Sequence, residues 1–228
     1  MKNILLIGGS YGIGNEIVKQ LAANNTIYVA SRTYQNLDPH VHHIPFDVTS
    51  DDLDEEKLPE SLDGLVYCPG SINLKPFKML TVDSFENDLK INFVSMIKVL
   101  KKVLPMMADK ASIVLFSTVA VTVGMPFHTT VAAAKGAVEG FARSLAAEYA
   151  PKLRVNVVAP SLAQTPLAAR LLNNDAKKEK MAARHPLKRV GTAKDIANTA
   201  VFLLSDSASW ITGQVIGVDG GISTLHSN

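Results

Sequence analysis

Short apolar runs rich in Val, Ile and Leu alternate along this chain with longer stretches of helical spacing. Ile4-Leu5-Leu6-Ile7 is the first such run, and it ends at Gly8-Gly9. Behind it Ile13, Ile17, Val18 and Leu21 fall on one helical face, which predicts a helix over residues 13–23. Further strands are predicted at 26–30, 41–46, 62–68, 112–116, 154–158 and 214–218. Pro45 marks the end of the third strand, and Pro69-Gly70 stops the fourth. Helical patterns cover about 81–107, 131–149, 166–183 and 193–205. The acidic run Asp51-Asp52-Leu53-Asp54-Glu55-Glu56 predicts one more helix start, where the helix dipole favours negative charge. Strands that are apolar throughout are buried on both faces, and strands separated by helices join as right-handed crossovers in a parallel sheet. The expectation is one α/β domain over residues 1–228, a doubly wound parallel sheet of about seven strands with helices on both faces.

Composition narrows the class without changing that picture. A chain of 228 residues buries roughly 70% of its surface on folding and needs no disulfide or metal to hold it. With 47% hydrophobic and 19% charged residues it is not a disordered chain. A net charge of +2 argues against a dedicated nucleic-acid binder. Cys68 is the only cysteine, so neither an intrachain disulfide nor a thiolate zinc cluster can form. No apolar run reaches the roughly 18 residues of a membrane span. Met1-Lys2-Asn3-Ile4 leads straight into a strand, not into a signal segment. The expectation is a cytoplasmic protein with neither nucleic acid nor membrane as partner.

Candidate chemistry begins behind the first strand, at Gly8-Gly9-Ser10-Tyr11-Gly12-Ile13-Gly14, which opens the first helix. Glycines in such a turn allow the tight bend, the approach of backbone to a pyrophosphate and close helix–strand packing. The helix start then offers free N–H groups to phosphates. Glycine clusters often only make turns. Here the strand before and the helix after match a dinucleotide-binding, Rossmann-type unit.

The Gly-x-x-x-Gly-x-Gly spacing resembles that of the short-chain dehydrogenase/reductase family, in its 3-oxoacyl-carrier-protein-reductase-like branch. The resemblance runs through nearly the whole chain: Asp47-Val48 after strand three, Asn92 in Ile91-Asn92-Phe93, Val155 to Pro160, and Ile211 to Gly221. It implies cofactor contacts by Gly8, Ser10, Tyr11, Gly12, Ile13 and Gly14 in the turn. Ser31 and Arg32 follow strand two, Asp47 and Val48 strand three, and Cys68, Pro69 and Gly70 strand four. Lys135, Pro160 and Thr165 complete the set. The second strand ends at Ala30-Ser31-Arg32, without the acid that would accept from a ribose 2′-OH. Arg32 can hold a phosphate bidentately and Ser31 can add a hydrogen bond, so NADP (NADPH) is the expected cofactor.

In that family a tyrosine exchanges a proton with the substrate oxygen. A lysine four residues later holds the nicotinamide ribose, a serine hydrogen-bonds the substrate oxygen, and an asparagine holds a water of the proton relay. Lys135 in Ala132-Ala133-Ala134-Lys135-Gly136-Ala137 and Asn92 match the lysine and asparagine. Val131 stands at the tyrosine position and Thr118 at the serine position. Threonine keeps a hydroxyl, whereas valine has no proton to give. Other departures are Ile7 for a usual Thr, Cys68-Pro69-Gly70 for Asn-Ala-Gly, and Ser161 for Gly. Cys68 is expected to be a small buried hydrophobe.

His128, three residues before Val131, is a candidate replacement donor because its ordinary pKa suits proton transfer at neutral pH. The bland alternative is a loop histidine without a role. Lys135, working through the ribose and Asn92, is the other candidate. Met125, Pro126 and Phe127 are expected to wall the substrate side. Lys177, Lys178 and Lys180 make a basic patch on the variable loop, either a solvated helix or a landing place for anions. The apolar stripes at 92–107 and 138–145 suit core packing and the family's dimers or tetramers equally, so a homodimer or homotetramer rests on resemblance alone. Two functions follow. One is an NADP-dependent oxidoreductase for a small-molecule carbonyl or alcohol substrate, with a weakened proton donor. The other is a non-catalytic NADP-binding sensor, scaffold or partner subunit.

Overall fold

The computed structural model describes residues 1–226. The first strand, β1 (Asn3–Ile7), points Leu5 and Ile7 to one side of the sheet and Ile4 and Leu6 to the other, so both faces carry core. The chain continues through α1 (Gly12–Leu21), β2 (Thr26–Ser31), β3 (His42–Pro45), β4 (Leu62–Tyr67), α2 (Val82–Leu89) and α3 (Ser95–Val103). It then forms β5 (Met107–Phe116), α4 (Thr129–Tyr149), β6 (Leu153–Pro160) and β7 (Ala163–Gln164). Next come α5 (Asp175–Ala183), β8 (Gly191–Thr192), α6 (Ala193–Leu204) and β9 (Val215–Val218). Seven strands make one parallel sheet in the order β3-β2-β1-β4-β5-β6-β9, and β7 pairs with β8 in a small parallel ladder. This is the doubly wound architecture read from the sequence.

One face of the sheet packs Met96, Val99 and Leu100 of α3 with Val138, Ala142 and Leu145 of α4. The other packs Ile17 and Val18 of α1 with Ile196, Ala197 and Ala200 of α6. The apolar stripes of 92–107 and 138–145 are therefore used inside this chain.

Three stretches depart from the sequence pattern. No helix follows Asp51, only a 3-10 turn at Glu55–Lys57. Its acids bond to nearby backbone instead: Asp47 N–H donates to Asp51 at 2.7 Å, and Glu56 N–H donates to Asp54 at 3.2 Å. The 81–107 stretch is not one helix, because residues Lys90–Val94 take π-helical register and Leu104–Met106 a 3-10 turn before β5. The 166–183 stretch splits into a 3-10 segment at Pro166–Leu171 and α5, whose start is capped by the Asn174 side chain accepting from Lys177 N–H. The link from β2 to β3 contains no helix at all.

Candidate functional site

Strand order reverses between β1 and β4, and in such sheets the crevice beyond the strand ends at that point is where ligands sit. A cleft of about 590 Å³ opens there. Its floor is the glycine turn. Gly8 and Gly12 have φ of +81° and +61°, which side chains rarely adopt. A Cβ on Gly14 would lie 2.3 Å from the Gly8 carbonyl oxygen, so helix and turn touch only because position 14 is bare. Tyr11, at the N-cap of α1, gives no side-chain cap, and the first turn carries no acid. The N–H groups of that turn are thus open to an anion. Ser10, Tyr11 and Ile13 line the cleft beside the glycines.

The rim at the end of β2 carries Ser31, Arg32 and Thr33. Three contacts tie the segment after β2 to the glycine turn and α1: Arg32 Nη2 donates to Tyr11 Oη at 3.4 Å, Thr33 Oγ1 donates to Ser10 Oγ at 3.2 Å, and Asn15 Nδ2 donates to the Asn36 carbonyl at 2.9 Å. The Ser31 hydroxyl donates to the Thr33 carbonyl at 2.6 Å, so its proton is already committed. Beyond β3, Asp47 and Val48 line the cleft with Thr49. Hydrogen bonds from the Thr49 N–H and hydroxyl hold the Asp47 carboxyl below its usual range, with a smaller pull from Arg32. Cys68, Pro69 and Gly70 form the wall at the end of β4, and Thr165 and Leu167 the far side. Burial pushes the Cys68 thiol up to about 12, which keeps it neutral and inert, although it is partly and not fully buried.

Behind Gly70 lies the second half of the site. A Cβ on Gly70 would stand 3.2 Å from Asn92 Oδ1 and 3.7 Å from Lys135 Nζ, which puts both groups against the cleft wall. The π register around Asn92 leaves carbonyls without their helical donors. Two side chains use them: Tyr67 Oη donates to the Ile91 carbonyl at 2.9 Å, and Asn92 Nδ2 to the Asp88 carbonyl at 2.8 Å. Lys135 is 6% exposed, and desolvation pushes its ammonium down to about 8. Val131, one turn earlier on α4, is buried. Thr118 lies two residues beyond β5, at the start of a 3-10 turn, its oxygen accepting from Ala120 N–H at 3.3 Å. His128 sits at the N-cap of α4 with Nδ1 2.7 Å from the Pro126 carbonyl oxygen. Neither Thr118, His128 nor Pro160 is among the residues lining the cleft, and Pro126 and Phe127 are exposed, not walling it.

Residues 8–223 match the sequence model of the enoyl-(acyl carrier protein) reductase family. The chain is a short-chain dehydrogenase/reductase. A tropinone reductase homolog of Arabidopsis thaliana is 32% identical to this short-chain dehydrogenase/reductase over 242 residues, covering 97% of this chain and 92% of that protein. An inactive 2-(S)-hydroxypropyl-CoM dehydrogenase of Xanthobacter autotrophicus is 37% identical over 171 residues, 72% of this chain and 74% of that protein. Among solved short-chain dehydrogenase/reductase folds, ligand-free aldohexose dehydrogenase of Thermoplasma acidophilum aligns with a TM-score of 0.89 and 26% identity over 100% of this chain and 97% of the other. ElxO with NADP bound aligns with a TM-score of 0.83 and 25% identity over 99% and 100%.

The glycine turn and strand ends were legible from sequence. Thr33, Thr49 and Leu167 were not, because they lie in irregular segments with no periodic signal. Their only cue was position, each one or two residues beyond an assigned contact.

Proposed function

We propose that this short-chain dehydrogenase/reductase is an NADP-dependent oxidoreductase acting on a carbonyl or alcohol, with a weakened proton-donor site at Val131. The observation that carries the cofactor choice is the rim at the end of β2, where Arg32 faces the cleft and no carboxylate ends the strand. The bare Gly14 contact and the uncapped start of α1 fit a pyrophosphate, and the cleft volume suits a dinucleotide. The nicotinamide ring would supply the hydride. This chain's own residues do the rest: the α1 turn holds the diphosphate, Arg32 the 2′-phosphate, Asp47 and Val48 border the adenine, and Lys135 holds the ribose. Thr118 retains a hydroxyl for the substrate oxygen. With valine at position 131, the proton for that oxygen comes through Lys135 and Asn92 or from His128, whose Nε2 is not engaged by the Pro126 bond. Loss of a positioned acid typically costs about 10²–10⁴ in rate.

Calorimetric titration with NADPH and NADH, then a ketone panel, tests this reading. A charge-assisted contact is worth about 1.5–3 kcal/mol, so NADPH should bind roughly ten- to a hundredfold more tightly. Arg32→Ala should erase the difference, and equal affinities in the native protein would overturn the NADP assignment.

Val131 also favours a second reading, an NADP-binding protein without hydride transfer that serves as sensor, scaffold or partner subunit. The relative named as an inactive dehydrogenase supports it. NADPH binding with no turnover on the whole panel would select it. Assembly as a homodimer or homotetramer is part of either proposal, supported by Trp210 and Phe202, which are 98% and 42% exposed. Among the described residues no helix is long and apolar enough to cross a membrane.

A further inference from the structure

The wall behind Gly70 holds a carboxylate that the functional reading above leaves unused. Asp88 lies on α2, which packs against α4, and is 3% exposed. An amphipathic helix places an apolar residue at a buried position. Ser71 Oγ donates to Asp88 Oδ1 at 2.6 Å and accepts from Asn92 Nδ2 at 2.8 Å. The other oxygens of the pair, Asp88 Oδ2 and Asn92 Oδ1, are buried without any hydrogen-bond partner. Lys135 is also buried, and among the described residues its Nζ forms no ion pair. Unpaired buried acceptors and an unpaired buried ammonium are each costly alone and compensate one another when they share a pocket.

We propose that Asp88, oriented by Ser71 and Asn92, is the counter-charge of Lys135, a positioning residue that keeps the lysine an ammonium at the cleft wall. Nothing else facing Lys135 can do this. Cys68, at the end of β4, is a neutral thiol. Tyr67 is a buried phenol whose proton goes to Ile91. Ser117 and Thr118, just beyond β5, carry no charge. Glu139, one turn along α4, accepts from Ser117 at 2.6 Å and pairs with Arg143. Lys90, in the π segment, adds its charge at Asp47, and Arg154 of β6 bonds the carbonyls of Ile211 and Ser205. Desolvation pushes Lys135 down, and the opposing pulls come from Cys68 first and Asp88 second; of the two only Asp88 carries a carboxyl.

The role of Lys135 as a ribose ligand rests on the function proposed above, so the first test omits cofactor. In intact protein labelled with [13Cε]lysine, the Lys135 NMR signal is identified by its loss in Lys135→Met. Its titration midpoint should fall by about one pH unit in Asp88→Asn. It should recover in Asp88→Glu and stay in place in Asp83→Asn, on the exposed side of the same helix. An unchanged midpoint in Asp88→Asn overturns the proposal. If that variant fails to fold, the native protein gives the reciprocal reading. The Asp88 13Cγ signal should show an inflection at the Lys135 midpoint that is missing in Lys135→Met, and its absence from native protein also overturns the proposal. NADPH affinity is measured last. It should fall as pH rises through the Lys135 midpoint, and begin falling at lower pH in Asp88→Asn. A shifted NMR midpoint with no NADPH binding supports the counter-charge and removes the cofactor reading.

Discussion

The proposed weakening of the proton-donor site turns on Val131. It lies one helical turn from Lys135, so the two side chains are neighbours on α4. A tyrosine at 131 would place a phenol beside an ammonium, and a positive neighbour favours the phenolate. Its pKa, ordinarily about 10, would move toward the working range. Val131→Tyr should therefore raise NADPH-dependent reduction of a simple activated ketone by about 10² or more over the native protein. Steady-state rates on a ketone panel check this. Ordinary reductase rates in the native protein would mean that Val131 is compensated. An inert variant that still binds NADPH would favour the non-catalytic reading. At this scale the sequence exposed Val131, Thr118 and Lys135, because each sits at a fixed spacing in a recognisable motif. It hid Asp88 and Ser71. Neither belongs to a motif, and their pairing depends on how the segment after Gly70 folds against α2.

At the scale of elements, the contact between α1 and the turn before it rests on a single missing Cβ. A Cβ at position 14 would collide with the Gly8 carbonyl oxygen, a backbone atom that cannot rotate aside. Gly14→Ala should lower unfolding free energy by about 1–3 kcal/mol and also weaken NADPH binding sharply. Thermal melts and calorimetry read the two effects separately. Gly12→Ala is the contrast: its Cβ would meet Thr165 and Pro166 at an ordinary 3.7 Å, leaving only the strain of a positive φ. Strands and the α1 start were readable because apolar runs and glycines are local signals. The π register at Lys90–Val94 was not. Its support is not local: a hydrogen bond from a distant residue, Tyr67, helps to hold it.

For the molecule as a whole, the buried ammonium of Lys135 carries a stability cost. Its folded-state pKa of about 8 lies below the ordinary 10.5. Between those values the unfolded chain binds the extra proton, so Lys135 makes stability rise with pH across that window. Below pH 8 both states are protonated and the full penalty of the buried ammonium applies. Lys135→Met should flatten the rise between pH 8 and 10.5 and, because it leaves Asp88 buried without its counter-charge, should not raise the melting temperature at pH 7. Scanning calorimetry at pH 7 and 10 checks both, and a higher melting temperature at pH 7 would show the ammonium to be net destabilising. The sheet, finally, ends at β3, which among the described residues has no neighbour on its outer side. That border is only four residues long, and its last residue, Pro45, has no N–H to give. A second chain adding a strand there would gain few hydrogen bonds, so this border resists the edge-to-edge growth through which exposed sheets seed fibrils and precipitates in concentrated solution.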